Sequence, residues 1–331
     1  MNNNSNKTIV RFAPSPTGFL HLGGVRTAIF NYLFARQNKG KFVLRIEDTD
    51  KERSKKDYEE DIVNGLSWLN IKFDEFCRQS ERKDVYKKYL KILIDSGKAY
   101  LSDETNTVES GGRKEVIRFK NPNKKVAFDD MIRGKIEFDT AELHDFVIAK
   151  SLEEPLFHLA VVVDDYEMGI THVIRGEDHI SNTPRQILIQ EAIGAPKPKY
   201  AHIPLIFDKD RSKLSKRKHG EKVSLAHYIK KEYLPDAIIN YLSLLGWNPD
   251  TPQEIFTLEE LIEQFKLDKV QKGGAIFDIE KLNWVNKEHI KLLPPDDVAD
   301  KVCKIINNYY SSDILFVKKL LPVIMGRINS F

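Results

Sequence analysis

A strand, a glycine-bearing turn, a helix and a second strand occupy Ile9 to Ile46, and this segment constrains the fold more than any other part of the chain. Ile9, Val10 and Phe12 form a short apolar run, Pro14, Ser15, Pro16, Thr17 and Gly18 punctuate it, and Val25, Ala28, Ile29, Tyr32, Leu33 and Arg36 follow at helical spacing. Phe42 to Ile46 then reads as a strand that ends in Glu47, Asp48 and Asp50. Strand, helix and strand in this order predict a parallel βαβ unit of an open α/β sheet, with polar groups at the carboxyl edge where such sheets bind ligands.

Gly23 and Gly24 fall where the helix begins. Glycine there lets a polyphosphate approach the backbone closely, and the free amides and positive end of the helix favour negative charge. His21 lies just ahead and is able to donate to a phosphate oxygen. The dinucleotide fingerprint GxGxxG is absent, and these residues alone are also compatible with an ordinary turn beside a capping histidine. A second cluster narrows the reading. After a strand expected at Tyr200 to Phe207, the loop Asp208 to Glu221 carries Lys209, Arg211, Lys213, Lys216, Arg217 and Lys218. Most such runs are solvated surface, but lysines on a flexible segment also serve as a clamp that closes over phosphates as charge builds on them. Nucleotidyl chemistry asks little of a protein beyond positioning and charge neutralisation.

RFAPSPTG with HLGG resembles the HIGH region of class I aminoacyl-tRNA synthetases, and KLSKR resembles their KMSKS loop. RTAIFNYLFAR, LRIEDTD, VVVDDYEMGITHVIRGEDHISNTPRQ and FDIEKLNWVN, in family order from about Thr8 to Ile290, are similar to bacterial glutamyl-tRNA synthetases. The resemblance implies a Rossmann-like α/β catalytic domain in two halves (1–70 and 161–220). It further implies an α+β insertion gripping the tRNA acceptor end (71–160), an all-helical stem-contact region (221–300) and the start of an anticodon-binding helical domain (301–331).

The same resemblance implies ATP-dependent formation of glutamyl-adenylate with Mg²⁺, then transfer of glutamate to the terminal ribose of tRNA(Glu). Arg11, Ser15, Glu47, Phe157 and Arg175 would hold L-glutamate. Pro14, Ser15, Thr17, Gly18, His21, Gly23, Gly24, Lys213, Ser215 and Lys216 would hold ATP, with His21, Lys213 and Lys216 stabilising the transferring charge. An arginine fork matches a carboxylate and an acid such as Glu47 receives an ammonium, with a local pair of Arg175 to Glu177 or Asp178 as the alternative. Gly24 stands at the final position of HIGH, Arg217 replaces the last serine of KMSKS, and Phe157 stands where many members have tyrosine. Two other readings stay open: a glutamyl-queuosine tRNA synthetase, and a non-catalytic tRNA- or nucleotide-binding paralogue.

Where many bacterial relatives carry a cysteine-containing stretch that can bind zinc, this chain has LSDETNTVESGGRKE. Its two cysteines, Cys77 and Cys303, lack CxxC spacing, so no zinc is expected and both thiols are expected to pack in helices. The chain ends at Phe331 in a helix expected at Ile314 to Ile328, which leaves open a fragment, a short natural form, or an anticodon-binding region on a separate chain.

With 331 residues and 41% hydrophobic content, the chain builds about two or three compact units. A formal net charge of +3 leaves tRNA binding to local basic faces such as Arg82, Lys83, Lys87, Lys88 and the 213–218 loop. MNNNSNK lacks the apolar core of a signal peptide and no apolar run approaches the ~20 residues of a membrane span, so a soluble cytoplasmic protein is expected. Helices are predicted at Tyr58 to Leu69, Val85 to Leu93, Ala237 to Leu245 and Val298 to Ile306, with a capping box at Thr257 and Glu260. Val116 to Phe119, Ile136 to Phe138 and Phe146 to Ala149 read as strands, and Leu159 to Val163 and Ile170 to Ile174 read as buried parallel strands.

Overall fold

A computed structural model describes residues 7–103, 115–214, 218, 220–307, 313–325 and 328. The βαβ unit forms from β1 (Ile9–Phe12), α1 (Leu22–Gln37) and β2 (Lys41–Ile46), and after α2 (Lys56–Trp68) the strand β3 (Glu75–Arg78) pairs in parallel with β2. The first half of the sheet therefore extends to Arg78, past the boundary near 70 expected from the sequence. Cys77 lies in β3, with Sγ 3.9 Å from Met168 Sδ, and not in a helix as expected. This short edge strand has no apolar alternation, so its sequence gives no strand signal.

After α3 (Lys83–Asp95) the chain runs through β4 (Ala99–Asp103), β5 (Glu115–Phe119), β6 (Lys125–Asp130), β7 (Gly134–Asp139), β8 (Phe146–Ser151) and β9 (Glu154–Pro155). β4, β5, β8 and β9 make an antiparallel sheet of their own. The β6–β7 hairpin instead docks on the catalytic sheet, where Asp130 pairs with Tyr200.

The chain then enters α4 (Phe157–Glu167), which corrects the strand expected at Leu159 to Val163. All five residues of that run are at most 3% exposed, so every face of the helix is covered and no 3.6-residue alternation survives to distinguish it from a buried strand. β10 (His172–Gly176), α5 (Thr183–Ala192) and β11 (Lys199–Ile203) complete the sheet, β10 and β11 running parallel. The strand expected through Phe207 breaks at Pro204, which has no N–H for the ladder, and resumes as β12 (Ile206–Phe207).

The order β3-β2-β1 meets β10-β11-β6-β7 at a seam. Ile9 N donates to Thr171 Oγ1 at 2.9 Å and Thr171 N donates to Ile9 O at 2.9 Å, and past that point no ladder joins β1 to β10. Strand order reverses here, so the carboxyl ends of β1 and β10 splay apart and open a crevice.

Alternate side chains enter separate cores. Val10, Phe12, Phe42, Leu44 and Ile174 face one core, and Val43, Val173 and Tyr200 face the other with α3, α4 and α5. The first core continues without a break into α6 (Leu225–Lys230), α7 (Pro235–Leu244), α8 (Leu258–Gln264) and α9 (Ile279–Leu292), with β13 (Ala275–Ile276) paired to β12. The capping box is present: Thr257 Oγ1 accepts from Glu260 N and Thr257 N donates to Glu260 Oε2. A small third cluster, including Val298, Val302, Val317 and Leu321, joins α10 (Pro295–Asn307), which holds Cys303, to α11 (Ile314–Ile324).

Candidate active site

The seam opens into a cleft of 560 Å³. Of the expected residues, Arg11, Pro14, Ser15, Gly18, His21, Gly23, Gly24, Glu47, Phe157, Arg175 and Lys213 all line it. Thr17 is exposed outside that lining, with its N–H on the Ser15 carbonyl at 2.8 Å. Ser215 and Lys216 lie outside the described residues, as does Arg217.

At the amino end of α1, His21 is the N-cap, and its Nδ1 accepts from Gly24 N at 3.1 Å. Val25 N makes the first intrahelical bond, to His21 O, so the amides that the helix leaves unsatisfied are those of Leu22 and Gly23, while that of Gly24 is taken by the cap. With Nδ1 accepting, the proton of the neutral ring sits on Nε2. Desolvation in the cleft and then Lys213 lower the His21 pKa, against an opposing pull from Asp178, which keeps the ring a neutral donor at neutral pH. A Cβ on Gly23 would stand 3.1 Å from Cε1 and Nδ1 of His21, so glycine here makes room for the cap itself. Lys213, bridged to Phe207, places Nζ 3.6 Å from Asp178 Oδ2 on the opposite lip.

On the floor, two arginines face three carboxylates. Arg11 Nε lies 3.1 Å from Asp165 Oδ1, Arg45 Nη1 lies 2.7 Å from that oxygen, and Arg45 Nη2 donates to Glu47 Oε1 at 3.0 Å. Arg45 is fully buried and its Nε also lies 3.9 Å from Asp164 Oδ2. Asp164 in turn accepts from Arg82 Nε, Tyr86 OH and Gln79 Nε2 at 2.7, 2.7 and 2.9 Å. Burial pushes the Asp165 carboxyl up, but Arg11 and Arg45 outweigh it and hold its pKa below the ordinary range. For Glu47 burial prevails over the same two arginines and its pKa is raised. Both hydrogen bonds to Glu47 end on Oε1, leaving Oε2 without a protein donor among the described residues.

Arg175 at the end of β10 is of a different kind. It is 7% exposed and pairs with neither Glu177 nor Asp178. Glu177 binds Arg133 and the amide of Leu205, whereas Arg175 donates from Nε to His202 Nε2 at 3.1 Å and from Nη2 to Thr183 Oγ1 at 2.9 Å. No carboxylate lies within ion-pair distance of it among the described residues, and burial lowers its pKa to about 10. A buried guanidinium without a counter-ion is costly unless an anion arrives, so its environment favours carboxylate or phosphate. Phe157 packs edge-on against His158 and tilted against His179 in the adjoining wall.

Sequence reasoning missed Arg45, Asp164 and Asp165, and with them Arg26, Asp130 and His202. The first three were visible only as charges embedded in apolar runs, LRI and VVVDD, which is itself a signal of buried pairing. Arg26 ties α1 to the chain around it by bonds to the carbonyls of Pro204 and Leu245.

A parallel sheet split where its strand order reverses, with a glycine-opened helix terminus on one lip and a basic loop on the other, is the architecture of a class I synthetase catalytic domain. The family model for tRNA synthetases class I (E and Q), catalytic domain, matches residues 7–109 and 101–284. The glutamate–tRNA ligase of Aquifex aeolicus (strain VF5) is 48% identical over 95% of this chain and 74% of its own length. That of Sulfurihydrogenibium sp. (strain YO3AOP1) is 45% identical over 97% of the chain and 76% of its own. A crystal structure of a glutamate tRNA ligase from Elizabethkingia meningosepticum CCUG26117, in complex with its amino acid, superposes with a TM-score of 0.91 at 35% identity, covering 98% of this chain and 78% of that one. The chain belongs to the glutamate–tRNA ligase family of class I synthetases.

Proposed function

We propose that this cleft activates L-glutamate with ATP and transfers it to the 3′-terminal ribose of tRNA(Glu). One observation carries the reading: an uncompensated guanidinium, Arg175, shares a cleft with the unsatisfied amides of α1, His21 and Lys213. One end of the cleft suits a carboxylate and the other suits phosphates.

Arg175 receives the side-chain carboxylate of glutamate and the free Oε2 of Glu47 receives its ammonium, with Arg11, Ser15 and Phe157 completing the pocket. The α-carboxylate oxygen then attacks the α-phosphorus of ATP. The bond from that phosphorus to the bridging oxygen breaks, and pyrophosphate leaves. Nε2–H of His21, the amides of Leu22 and Gly23, and Lys213 meet the charge that builds on the phosphate oxygens, while Pro14, Gly18 and Gly24 shape the wall. Ser215 and Lys216, which follow Lys213 in the KLSKR motif, are assigned to ATP with it. In the second step the ribose hydroxyl attacks the carbonyl carbon, AMP leaves, and the hydroxyl proton passes to the released phosphate.

Among the described residues no group of three or more His, Cys, Asp or Glu is placed to hold a metal, and Glu47 and Asp178 are engaged by Arg45 and Lys213. The described residues thus form no ready-made cage of protein ligands for Mg²⁺, and we assign the ion to the triphosphate, where few protein ligands and several waters suit its coordination. The part of residues 71–160 that follows β3 we assign to the acceptor end of the tRNA, and the helices after Gly220 to its stem.

Glutamate-dependent ATP–pyrophosphate exchange, run with and without tRNA(Glu), tests the reading. Exchange that requires glutamate and tRNA supports it. Exchange without tRNA favours the queuosine-modifying alternative, and none under either condition favours a binding paralogue.

A further inference from the structure

We propose that Asp130 and His202 are positioning residues for the reaction, a relay that fixes Arg175 in its glutamate-receiving orientation while leaving its charge unspent. The proposal rests on the reading of Arg175 as the receptor for the glutamate carboxylate.

Asp130 is 3% exposed, His202 is fully buried, and neither lines the cleft. Asp130 Oδ1 accepts from the amides of Ile132 and Arg133, each at 3.0 Å, and its Oδ2 lies 3.1 Å from His202 N and 2.6 Å from His202 Nδ1. A carboxylate in a ring of donors is ionised and accepts only, so Nδ1 of His202 carries the ring proton. Nε2 is then an acceptor, and Arg175 Nε donates to it at 3.1 Å. Thr183 repeats the pattern: its hydroxyl gives its proton to the His179 carbonyl at 3.2 Å, or to His202 Nε2 at 3.3 Å, and in either case presents a lone pair to Arg175 Nη2. The Tyr200 ring lies 5.7 Å from the guanidinium carbon.

The guanidinium is thus held on two nitrogens by neutral acceptors, and Nη1 has no protein acceptor among the described residues. A carboxylate in the place of His202 would hold the fork as firmly but neutralise it, and would compete with the substrate for it. Asp130 supplies the negative charge from one residue further away. It fixes the imidazole tautomer by pairing with the far nitrogen, the arrangement by which an outer carboxylate orients a histidine toward its true ligand. Asp130 belongs to the β6–β7 hairpin, so the relay also ties the insertion to the amino-acid pocket.

The test compares two amides at one buried position. Aminoacylation by the full chain is measured with glutamate and ATP varied separately for wild type, His202→Asn, His202→Gln and Arg175→Met. The asparagine amide reaches Asp130, as Nδ1 does, but falls short of Arg175. The glutamine carbonyl reaches the place of Nε2. His202→Asn is expected to raise the glutamate KM about tenfold, the effect of one charge-assisted hydrogen bond, with the ATP KM within about twofold. His202→Gln is expected to recover most of that loss. Equal effects of the two amides, or parallel rises in both KM values, would reduce His202 to packing and overturn the proposal. An Arg175→Met enzyme with unchanged glutamate KM would remove the receptor reading and the relay with it, whereas a large rise there with no separation of the amides sinks the relay alone. Should both amides fail to fold, Asp130→Asn serves: its amide N–H can donate to Nδ1, turning Nε2 into a donor against Arg175, and an unchanged glutamate KM would refute the relay.

Discussion

At the residue scale the site is organised by arginines with contrasting partners. Arg11 and Arg45 share Asp165, while Arg175 has neutral acceptors only. Asp165→Asn keeps the shape and removes the charge, leaving Arg11 with no carboxylate and Arg45 with Glu47 and the more distant Asp164. Breaking a buried pair on one side costs about 3–5 kcal/mol, so urea unfolding is expected to show a loss of that order together with a higher glutamate KM. An unchanged midpoint would mean that Asp165 contributes no net stability. That Arg175, Arg11, Glu47 and His21 converge on one cleft was legible in the sequence because the family resemblance gives each of them an expected role. Asp165, Asp130 and His202 were not legible, because Asp165 acts through Arg11 and Arg45, 154 and 120 residues away, and Asp130 meets His202 across 72. No local pattern encodes a meeting at that separation.

Among the elements, the βαβ unit, α2, α3 and the capping box at Thr257 were readable from periodicity and capping chemistry, which are local. α4 was not, since burial on every face erases the helical period. The amino end of α1 gives a prediction in which stability and activity part. Alanine favours a helix over glycine by about 1 kcal/mol, yet at Gly23 its Cβ would press on the His21 ring. Gly23→Ala is expected to keep or raise the melting temperature while pyrophosphate exchange falls about tenfold through a disturbed phosphate donor. A variant with full exchange activity would show that the cap tolerates the shift.

Across the whole molecule, burial sets the pH response. His158, His172 and His179 lie in three different elements or turns, and burial lowers each from the ordinary 6.5 to about 4. The unfolded chain takes up protons below about pH 6.5 that the folded chain refuses until about pH 4, so stability is full above that window and declines as pH falls through it. Denaturation midpoints at pH 7.5 and 5.0 are expected to differ in that sense, with His172→Gln reducing the difference; equal midpoints would refute it. The contacts that build the cleft also join distant parts of the chain. Arg11 meets Asp165 across 154 residues, Ile9 meets Thr171 across 162, and Arg26 meets Leu245 across 219. Synthesis at roughly 5–20 residues per second places the two ends of the longest contact about 10–40 s apart at the ribosome. During that interval α1 has emerged without the second of the two carbonyls that hold Arg26, so the end of the cleft beside α1 is among the last features to mature, and a nascent chain that has not yet released Leu245 has no finished cleft there to fill.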